Sequence, residues 1–358
     1  MRAAVVRSGL EVFPGRGMWL RLGDTEGRVG IGEAAPLPGF SRDGVEECVR
    51  ALAEVHEELG PLDDEAPAGE AVALALAPVE ERLARAPTAR VALETALLDL
   101  SARRLGVPLS VRLGGPPSPP PVPVNGLCRI EPATDLVARA RAVVEAGLPA
   151  LKVKLRSRDD LSFRYELDRL HAVREALPAR FEIRLDANAS WSLGGARARL
   201  WALRAIAPSF VEQPVAAGDL ARIGEATVPL AADESLALEG MGEALLDVPV
   251  ALGRCSVFVL KPAILGLCRA RGLGLLAHSK GLDVVVTHLF DGPVGLAAAA
   301  ELALSFMRAP LASGLDRHAG LADFPPALVP QLETRVAARA TGREGLGLER
   351  EEAWSWTR

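Results

Sequence analysis

Lysine is scarce in this chain, which has four lysines and 37 arginines among its 358 residues. Arginine stays protonated at any physiological pH, whereas lysine can lose its proton. Three of the four lysines, Lys152, Lys154 and Lys261, nevertheless lie in or at the end of short apolar runs. A chain that uses arginine for almost every other positive charge has kept lysine there, which indicates acid–base chemistry at these positions.

Cysteine and long apolar runs are rare as well. The four cysteines are scattered and form no Cys-x-x-Cys pair, which argues against a disulfide framework and against structural zinc. No run of about 18 apolar residues suggests a membrane span, and the first residues lack the apolar core of a signal peptide. We therefore expect a cytoplasmic protein that does not bind membranes. A net charge of −5 gives no reason to expect nucleic-acid binding.

The chain is long enough for two domains, and its first third differs from the rest. Residues 18–22 and 29–31 alternate as in the strands of an antiparallel meander. A loop rich in proline and glycine follows at 32–41, and 89–105 has the periodicity of a helix. The proline-rich segment 114–123 is the best candidate for a linker.

From residue 122 onward, short apolar runs alternate with helix-compatible stretches. The predicted strands are 122–130, 150–155, 181–186, 210–215, 228–233, 256–261 and 282–288, with an eighth near 309–313. Such alternation is typical of a parallel sheet covered by helices, and seven or eight units fit a closed barrel better than an open sheet. An open doubly wound sheet is the alternative, but no Gly-x-Gly-x-x-Gly opens its first unit.

Charged side chains fall at the ends of five of these strands. They are Lys154, Asp186, Glu212, Asp233 and Lys261, and successive members are 21 to 32 residues apart. This spacing is about one strand–helix unit. Active sites of β/α barrels lie at the rim formed by the carboxyl ends of the strands, so we expect these side chains to meet there. Lys152 lies two residues before Lys154 and faces the same side of its strand.

Three carboxylates that converge without histidine or cysteine form an oxygen-only site, which favours Mg²⁺, with Mn²⁺ as a substitute, over zinc or copper. A divalent cation would neutralise the repulsion between Asp186, Glu212 and Asp233 and leave positions for a small-molecule carboxylate substrate. Such a substrate can lose its α-proton, because the metal and neighbouring ammonium groups stabilise the enediolate. Lysine is then the plausible base, since a second lysine and the metal lower its pKa.

Other polar residues near these strand ends have two interpretations. Asn188 fits an orienting hydrogen-bond partner better than a metal ligand, and Glu234 fits a surface charge or a partner of the ligands. His288 is either catalytic or satisfied by hydrogen bonds at the rim. Asp291 either holds a lysine or caps the next helix. Lys280 stands at a predicted helix end, where a positive charge is favourable, and we interpret it as structural.

At these residues the sequence resembles the enolase superfamily, and within it the muconate-lactonizing subgroup. The resemblance covers nearly the whole chain. Its barrel motifs are Lys152-Val-Lys154, Asp186-Ala-Asn188, Glu212-Gln-Pro214, Asp233-Glu-Ser235 and Lys261-Pro262. Lysine at position 261 argues against the mandelate-racemase subgroup, which pairs His with Asp at the barrel rim.

The resemblance implies a fold of the α/β class: a modified TIM barrel of the (β/α)7β type with an α+β capping domain. We expect residues 1–118, completed by 314–358, to form the capping domain and residues 119–313 to form the barrel. A loop of the capping domain, including Phe40 and Ser41, would cover the active site.

The resemblance also implies roles for the site residues. By this similarity Asp186, Glu212 and Asp233 would bind Mg²⁺, and no other cofactor is implied. Lys154 would be the general base and acid, and Lys152 and Lys261 would stabilise the anionic intermediate. Contacts with the ligands or the substrate would come from Asn188, Glu234, Ser235, Asp291, Phe40 and Ser41.

Within the subgroup the motifs most resemble those of o-succinylbenzoate synthases. This implies Mg-dependent syn-dehydration of 2-succinyl-6-hydroxy-2,4-cyclohexadiene-1-carboxylate to o-succinylbenzoate, a step of menaquinone biosynthesis. The alternative is racemisation of an N-succinyl amino acid, or epimerisation of a dipeptide, by the same lysines, and muconate-type cycloisomerisation is a third. Dipeptide epimerases carry Asp-x-Asp near the eighth strand, where this chain has Asp316 alone, which disfavours that activity.

Two residues depart from the synthase pattern, which more often has a small hydroxyl residue at His288 and Glu at Asp291. These two departures concern the expected contacts with the substrate more than the proton transfer and metal binding. A non-catalytic ligand-binding protein on a degenerate barrel is a hypothesis of another class, but no expected metal ligand or lysine is missing. The sequence does not define the oligomeric state, and a homo-oligomer is compatible with it.

Overall fold

The computed structural model describes residues 2–13, 17–53, 55–132, 134–246, 255–324, 337–338 and 341–348, and its first elements form an α+β unit. The strands of this unit are β1 (Arg2–Ala3), β2 (Val5–Phe13), β3 (Gly17–Asp24), β4 (Val29–Ala34) and β5 (Leu62–Asp63). Its helices are α1 (Val45–Leu52), α2 (Ala68–Leu76), α3 (Glu80–Leu83), α4 (Pro87–Leu105) and α5 (Leu109–Arg112). Strands β2, β3 and β4 form the predicted antiparallel meander, and β1 pairs with β5.

Helix α4 packs against this meander, and two glycines permit the close approach. A Cβ at Gly30 would lie 2.2 Å from the carbonyl oxygen of Ala96, and a Cβ at Gly32 would lie 1.8 Å from that of Ala92. Neither distance is compatible with close-packed atoms. The small residues on both sides therefore set the distance between the helix and the sheet.

The second part of the chain builds a parallel sheet whose seven strands pair in sequence order. After β6 (Val122–Pro123) come β7 (Gly126–Arg129), β8 (Ala150–Lys154), β9 (Glu182–Asp186), β10 (Phe210–Glu212), β11 (Leu230–Ala232), β12 (Cys255–Leu260) and β13 (Asp283–Val286). The helices that alternate with them are α6 (Leu136–Glu145), α7 (Asp160–Ala176), α8 (Leu193–Leu203), α9 (Met241–Leu246), α10 (Pro262–Leu265), α11 (Leu267–Ser279) and α12 (Pro293–Leu304). None of the helices in the described ranges is long and apolar enough to cross a membrane.

An eighth segment closes the ring. Ser313 forms a parallel bridge with Val124, next to the first barrel strand, and Gly314 forms one with Thr287, just after the last. The backbone N–H of Gly314 also donates to the Val286 carbonyl oxygen at 2.9 Å. The predicted modified TIM barrel with an α+β unit is thereby confirmed, although the eighth strand is reduced to single bridges.

The prediction of one strand over 122–130 is wrong. The structure divides this range into β6, which pairs antiparallel with β14 (Ala337–Ala338), and β7, which begins the barrel. Pro123 has no N–H to donate to a ladder, so the strand cannot continue through it as a central strand. The residue bounds of the two domains stay a prediction, and much of the tail that would complete the capping domain lies outside the described residues.

The barrel interior has an apolar layer beneath a charged one. The apolar layer is a separate cluster of buried residues, Phe210, Ala231, Val257, Val259 and Val285. The larger core lies around it and includes the meander, the barrel helices and the outward faces of the strands. The charged side chains lie above this layer, at the carboxyl ends of the strands, which is where active sites of β/α barrels are built.

Candidate active site

Six charged side chains meet at the carboxyl ends of β8 to β12. Lys152 and Lys154 belong to β8, Asp186 and Glu212 end β9 and β10, and Asp233 and Lys261 directly follow β11 and β12. In the parallel register Lys154 is the partner of Asp186, and Asp186 is the partner of Glu212. Register partners on neighbouring strands point to the same side of the sheet, which brings these side chains together.

The carboxylates are buried and in contact with the lysines. Asp186, Glu212 and Asp233 are 0%, 1% and 5% exposed. The Lys152 ammonium donates to both oxygens of Glu212 at 2.7 Å and lies 2.8 Å from Asp186 Oδ2. Lys261 forms an ion pair with Asp233, while Lys154 Nζ is 3.7 Å from Asp186 Oδ2. Lys154 is therefore the most loosely held of the three lysines.

The pKa values of these groups shift in different directions. Burial and the nearby Asp186 raise the pKa of Glu212 to about 8. Burial also acts on Asp186, but Lys152 and Lys154 outweigh it and lower the Asp186 pKa to about 2. For Lys152 and Lys261, the surrounding carboxylates outweigh burial and raise the pKa. For Lys154, burial and the two other lysines lower the pKa, which favours a neutral amine.

The donor set of this cluster fits a hard cation. Asp186, Glu212 and Asp233 offer only carboxylate oxygens on neighbouring strands, and Mg²⁺ prefers such donors. Asp186 Oδ2 is buried and makes no hydrogen bond of acceptable geometry, although the Lys152 ammonium is close. As the described side chains stand, no three His, Cys, Asp or Glu residues form a ready metal site. The ammonium groups of Lys152 and Lys261 lie against the carboxylates, so a cation would have to replace these contacts.

Neighbouring polar residues orient the carboxylates. Asn188 donates from its side-chain amide to Asp186 Oδ1 at 2.8 Å and from its backbone N–H to the same atom at 3.0 Å. Gln213, which is fully buried, accepts from the backbone N–H groups of Asp233 and Ser235 at 3.1 Å and donates to Ser235 Oγ at 2.9 Å. Ser235 is thus held behind the site. Gln213 is a positioning residue that sequence reasoning did not single out, although it lies in the Glu212-Gln-Pro214 motif.

One cavity lies under the loop that precedes α1. It has a volume of about 420 Å³, and Phe40, Ser41, Asp233, Glu234 and Lys261 are among its lining residues. The Glu234 carboxylate has one buried oxygen without a hydrogen-bond partner. The structure therefore brings the two predicted loop residues to the same cavity as Asp233 and Lys261.

A second cavity, of about 250 Å³, shares Lys261 with the first. Lys152, Lys154 and Lys261 line it together with residues that follow β13 and the eighth segment. Lysines from β8 and from the end of β12 thus face one space. A carboxylate substrate in this space could meet an amine from either strand.

His288 lines the second cavity, whereas Asp291 lines a neighbouring one. The His288 ring bonds to the backbone through both nitrogens, 3.0 Å from the Asp316 carbonyl oxygen and 3.0 Å from the Phe290 N–H. Burial lowers its pKa to about 4 and keeps the ring neutral. Asp291 accepts from the backbone N–H of Leu289 at 2.9 Å, and burial raises its pKa to about 6. Both residues form hydrogen bonds with the backbone of the loop after β13. For His288 these contacts favour the interpretation that its ring is satisfied by hydrogen bonds at the rim over the catalytic one.

The architecture defines the class of capped β/α-barrel enzymes. Residues 17–114 match the N-terminal domain of the mandelate racemase / muconate lactonizing enzyme family, and residues 135–354 match the enolase C-terminal domain-like family. The chain belongs to the enolase superfamily and is an enzyme of that superfamily. Members of this superfamily use Mg²⁺.

Relatives of different activity are similar to this chain. An o-succinylbenzoate synthase from Thermobifida fusca is 35% identical and is aligned over 63% of this chain and 67% of the relative. An N-succinylamino acid racemase from Thermus thermophilus is 33% identical, over 78% of this chain and 72% of the relative. An L-Lys-D/L-Arg epimerase from Methylococcus capsulatus is 31% identical, over 78% and 76%. Identity alone therefore does not separate dehydration from racemisation or epimerisation.

The fold is shared with solved structures. A dipeptide epimerase from Enterococcus faecalis V583, complexed with Mg and the dipeptide L-Leu-L-Tyr, gives a TM-score of 0.81 at 21% identity. The match covers 98% of this chain and 100% of that chain. At this identity the likeness shows the architecture alone.

Proposed function

We propose that the chain is an o-succinylbenzoate synthase, a lyase that dehydrates 2-succinyl-6-hydroxy-2,4-cyclohexadiene-1-carboxylate in menaquinone biosynthesis. The similarity to the Thermobifida fusca synthase supports this proposal. So does a site in which three carboxylates and three lysines face cavities large enough for a small carboxylic acid.

The observation that carries the proposal is the character of the cavity wall after the eighth segment. Asp316, Arg317 and His318 line the 250 Å³ cavity there, next to His288. A dipeptide would bring a free ammonium group to this cavity, where Lys152, Lys261 and Arg317 face one carboxylate, Asp316, while burial lowers the pKa of His288 and His318 and keeps both rings neutral. The succinyl tail of the proposed substrate is an anion, and a cavity lined in this way favours it over an ammonium group.

Different residues of the site can carry out different parts of the proposed reaction. Lys154 Nζ would remove the proton α to the ring carboxylate and return it to the hydroxide that leaves the ring, so that one water forms and the ring becomes aromatic. The ammonium groups of Lys152 and Lys261 would stabilise the negative charge that develops on the carboxylate. Asn188 and Gln213 would keep Asp186 and Asp233 in place.

Asp186, Glu212 and Asp233 would hold the cation. Mg²⁺ suits these donors, and Mn²⁺ would suit them as well. When bound, the cation would supply positive charge that lowers the pKa of the substrate's α-proton. It would also neutralise three carboxylates that otherwise depend on Lys152 and Lys261.

Racemisation of an N-succinyl amino acid is the second candidate, and one observation favours it. Lys154 and Lys261 line the same cavity from different strands, as an exchange of the α-proton on two faces requires. The Thermus thermophilus racemase is aligned over more of this chain than the synthase is. Because both substrates carry a succinyl group, the wall after the eighth segment does not separate the two.

An assay of the purified protein with both substrate classes tests the proposal. We expect Mg-dependent formation of o-succinylbenzoate from the cyclohexadiene substrate, and loss of that activity in chelator and in the Asp186→Ala variant. Reactions in D₂O with N-succinyl amino acids of either configuration report proton exchange on each face. Exchange from both faces without any dehydration would refute the synthase and support the racemase.

A further inference from the structure

Phe290 stands out in the loop after β13. Its φ angle is +59°, in the left-handed region that a bulky side chain rarely adopts. The side chain is 38% exposed and lines both the 250 Å³ cavity and a neighbouring cavity of about 210 Å³ under the capping unit. Residues held in such sparsely populated backbone conformations cluster at active sites and ligand-binding sites.

Contacts on both sides of Phe290 hold this conformation. The Phe290 N–H donates to the Nδ1 atom of His288, whose Nε2 atom donates to the Asp316 carbonyl oxygen. The His318 ring, stacked on His288 with 5.1 Å between centroids, bonds to the Asp291 carbonyl oxygen at 2.7 Å. The backbone is therefore fixed immediately before and after the aromatic ring.

Arg129 lies over this ring. Its guanidinium carbon is 5.5 Å from the centroid of Phe290, within the range of a cation–π interaction. In the parallel register Arg129 is the partner of Lys154, so the two side chains leave their strands on the same side. Among the described residues no carboxylate forms an ion pair with Arg129. A cation–π contact uses none of the N–H groups of a guanidinium in a conventional hydrogen bond, so they stay available as donors.

We propose that Arg129, which lies over the ring of Phe290, binds a carboxylate at the end of the substrate remote from Lys154, and that the enzyme therefore selects dicarboxylic substrates. A guanidinium binds a carboxylate with two parallel hydrogen bonds, which gives both affinity and orientation. The assignment rests on the proposed function, because the succinyl tail supplies the second carboxylate. It extends that function by naming the pair of residues that recognises the tail.

Ligand binding tests the assignment without turnover. Titration calorimetry with Mg²⁺ present would compare o-succinylbenzoate with 2-butyrylbenzoate, which lacks the tail carboxylate. A charge-assisted hydrogen bond contributes about 1.5 to 3 kcal/mol, so we expect the parent to prefer the succinyl compound by about 10- to 100-fold. Arg129→Gln should lose this preference by weakening succinylbenzoate binding alone, and Arg129→Lys should restore part of it. Arg141→Gln, an exposed arginine of α6, is the control for charge and should keep the preference.

Phe290 is tested by two substitutions. Phe290→Gly removes the ring and relieves the left-handed backbone, so the Tm should stay equal or rise while the preference for the tail carboxylate falls. Phe290→Leu keeps a side chain but no π-face, and it should show the same loss of preference. A merely structural role for the ring would instead lower the Tm of both variants and leave the preference intact.

The outcomes separate this inference from the proposed function. Equal affinity of the parent for the two ligands, or no binding of either, overturns the role of Arg129 even if the synthase reaction is observed. A preference that Arg129→Gln abolishes supports the role even if the chain proves to be a racemase. N-succinyl and N-butyryl amino acids, which differ in the same carboxylate, would then repeat the comparison.

Discussion

The three lysines of the site differ in what their surroundings allow. Lys152 and Lys261 are bound to buried carboxylates, which raise their pKa values and keep them charged. Lys154 is 3.7 Å from its nearest carboxylate oxygen, and burial lowers its pKa. The proposed role of Lys152 and Lys261 is to stabilise an anion, for which a permanent charge is enough. Proton transfer instead needs a group that can be neutral. We therefore propose that Lys154 transfers the proton.

Substitution by arginine separates these roles. Lys154→Arg keeps the charge but cannot accept a proton, so we expect kcat to fall by at least about 100-fold. Lys261→Arg should retain part of the synthase activity, because dehydration needs proton transfer on one face only. Lys280→Arg, at the end of α11, is the control and should match the parent. Measured kcat values for Lys261→Arg as low as for Lys154→Arg would show that both lysines move protons.

The site residues differ in how far sequence could reveal them. Lys154, Asp186, Glu212, Asp233 and Lys261 could be predicted to meet because each ends a strand of a repeating unit. The contact of Arg129 with Phe290 could not be predicted, because the two residues are 161 positions apart in the chain and nothing in either local pattern indicates a cation–π contact.

At the scale of elements, close approach of backbones explains features that periodicity does not. The alternation in residues 29–31 predicted a strand but gave no reason for glycine at positions 30 and 32. The structure shows that α4 approaches β4 too closely for any side chain there. The barrel strands were predictable from their apolar runs, whereas the eighth was only partly so, because it contributes single bridges instead of a ladder.

Gly32→Ala tests this packing. The added methyl group would collide with the backbone of Ala92, which cannot move without shifting α4, so we expect a loss of about 1 to 3 kcal/mol in the free energy of unfolding. Gly272→Ala in α11, where a Cβ meets no atom within 4 Å, should instead gain about 0.5 to 1 kcal/mol. Urea denaturation of both variants measures the difference. Equal stability of the two would mean that α4 can move away from the sheet.

At the scale of the whole molecule, carboxylates join the α+β unit to the barrel. Glu33 of β4 accepts hydrogen bonds from the backbone N–H groups of Gly292 and Gly295 at the start of α12. Glu94 of α4 accepts one from Cys268 at the start of α11, at 2.7 Å. Helix N-termini favour negative charge, which suits these contacts. They join residues more than 170 positions apart, so no local pattern could predict them.

Glu33 should make the stability of the protein depend on pH. Burial, and then the charge of Asp291, raise its pKa from 4.5 to about 7. Between these two values the folded chain keeps a proton that the unfolded chain has released, so the free energy of unfolding must fall as the pH rises through this window. A shift of this size corresponds to a loss of about 3 kcal/mol, complete once the pH exceeds the folded-state pKa.

The Glu33→Gln variant isolates this effect, because glutamine does not titrate. Urea denaturation between about pH 4 and pH 8 should show a decline in stability with rising pH that is smaller in the variant than in the parent. Glutamine has one acceptor oxygen for two N–H donors, so the variant should also be less stable than the parent at low pH, by about 1 to 3 kcal/mol. Glu70→Gln, an exposed residue of α2, controls for the lost charge. Parallel curves for parent and Glu33→Gln would mean that Glu33 stays ionised throughout, and that the N-terminus of α12 offsets its burial.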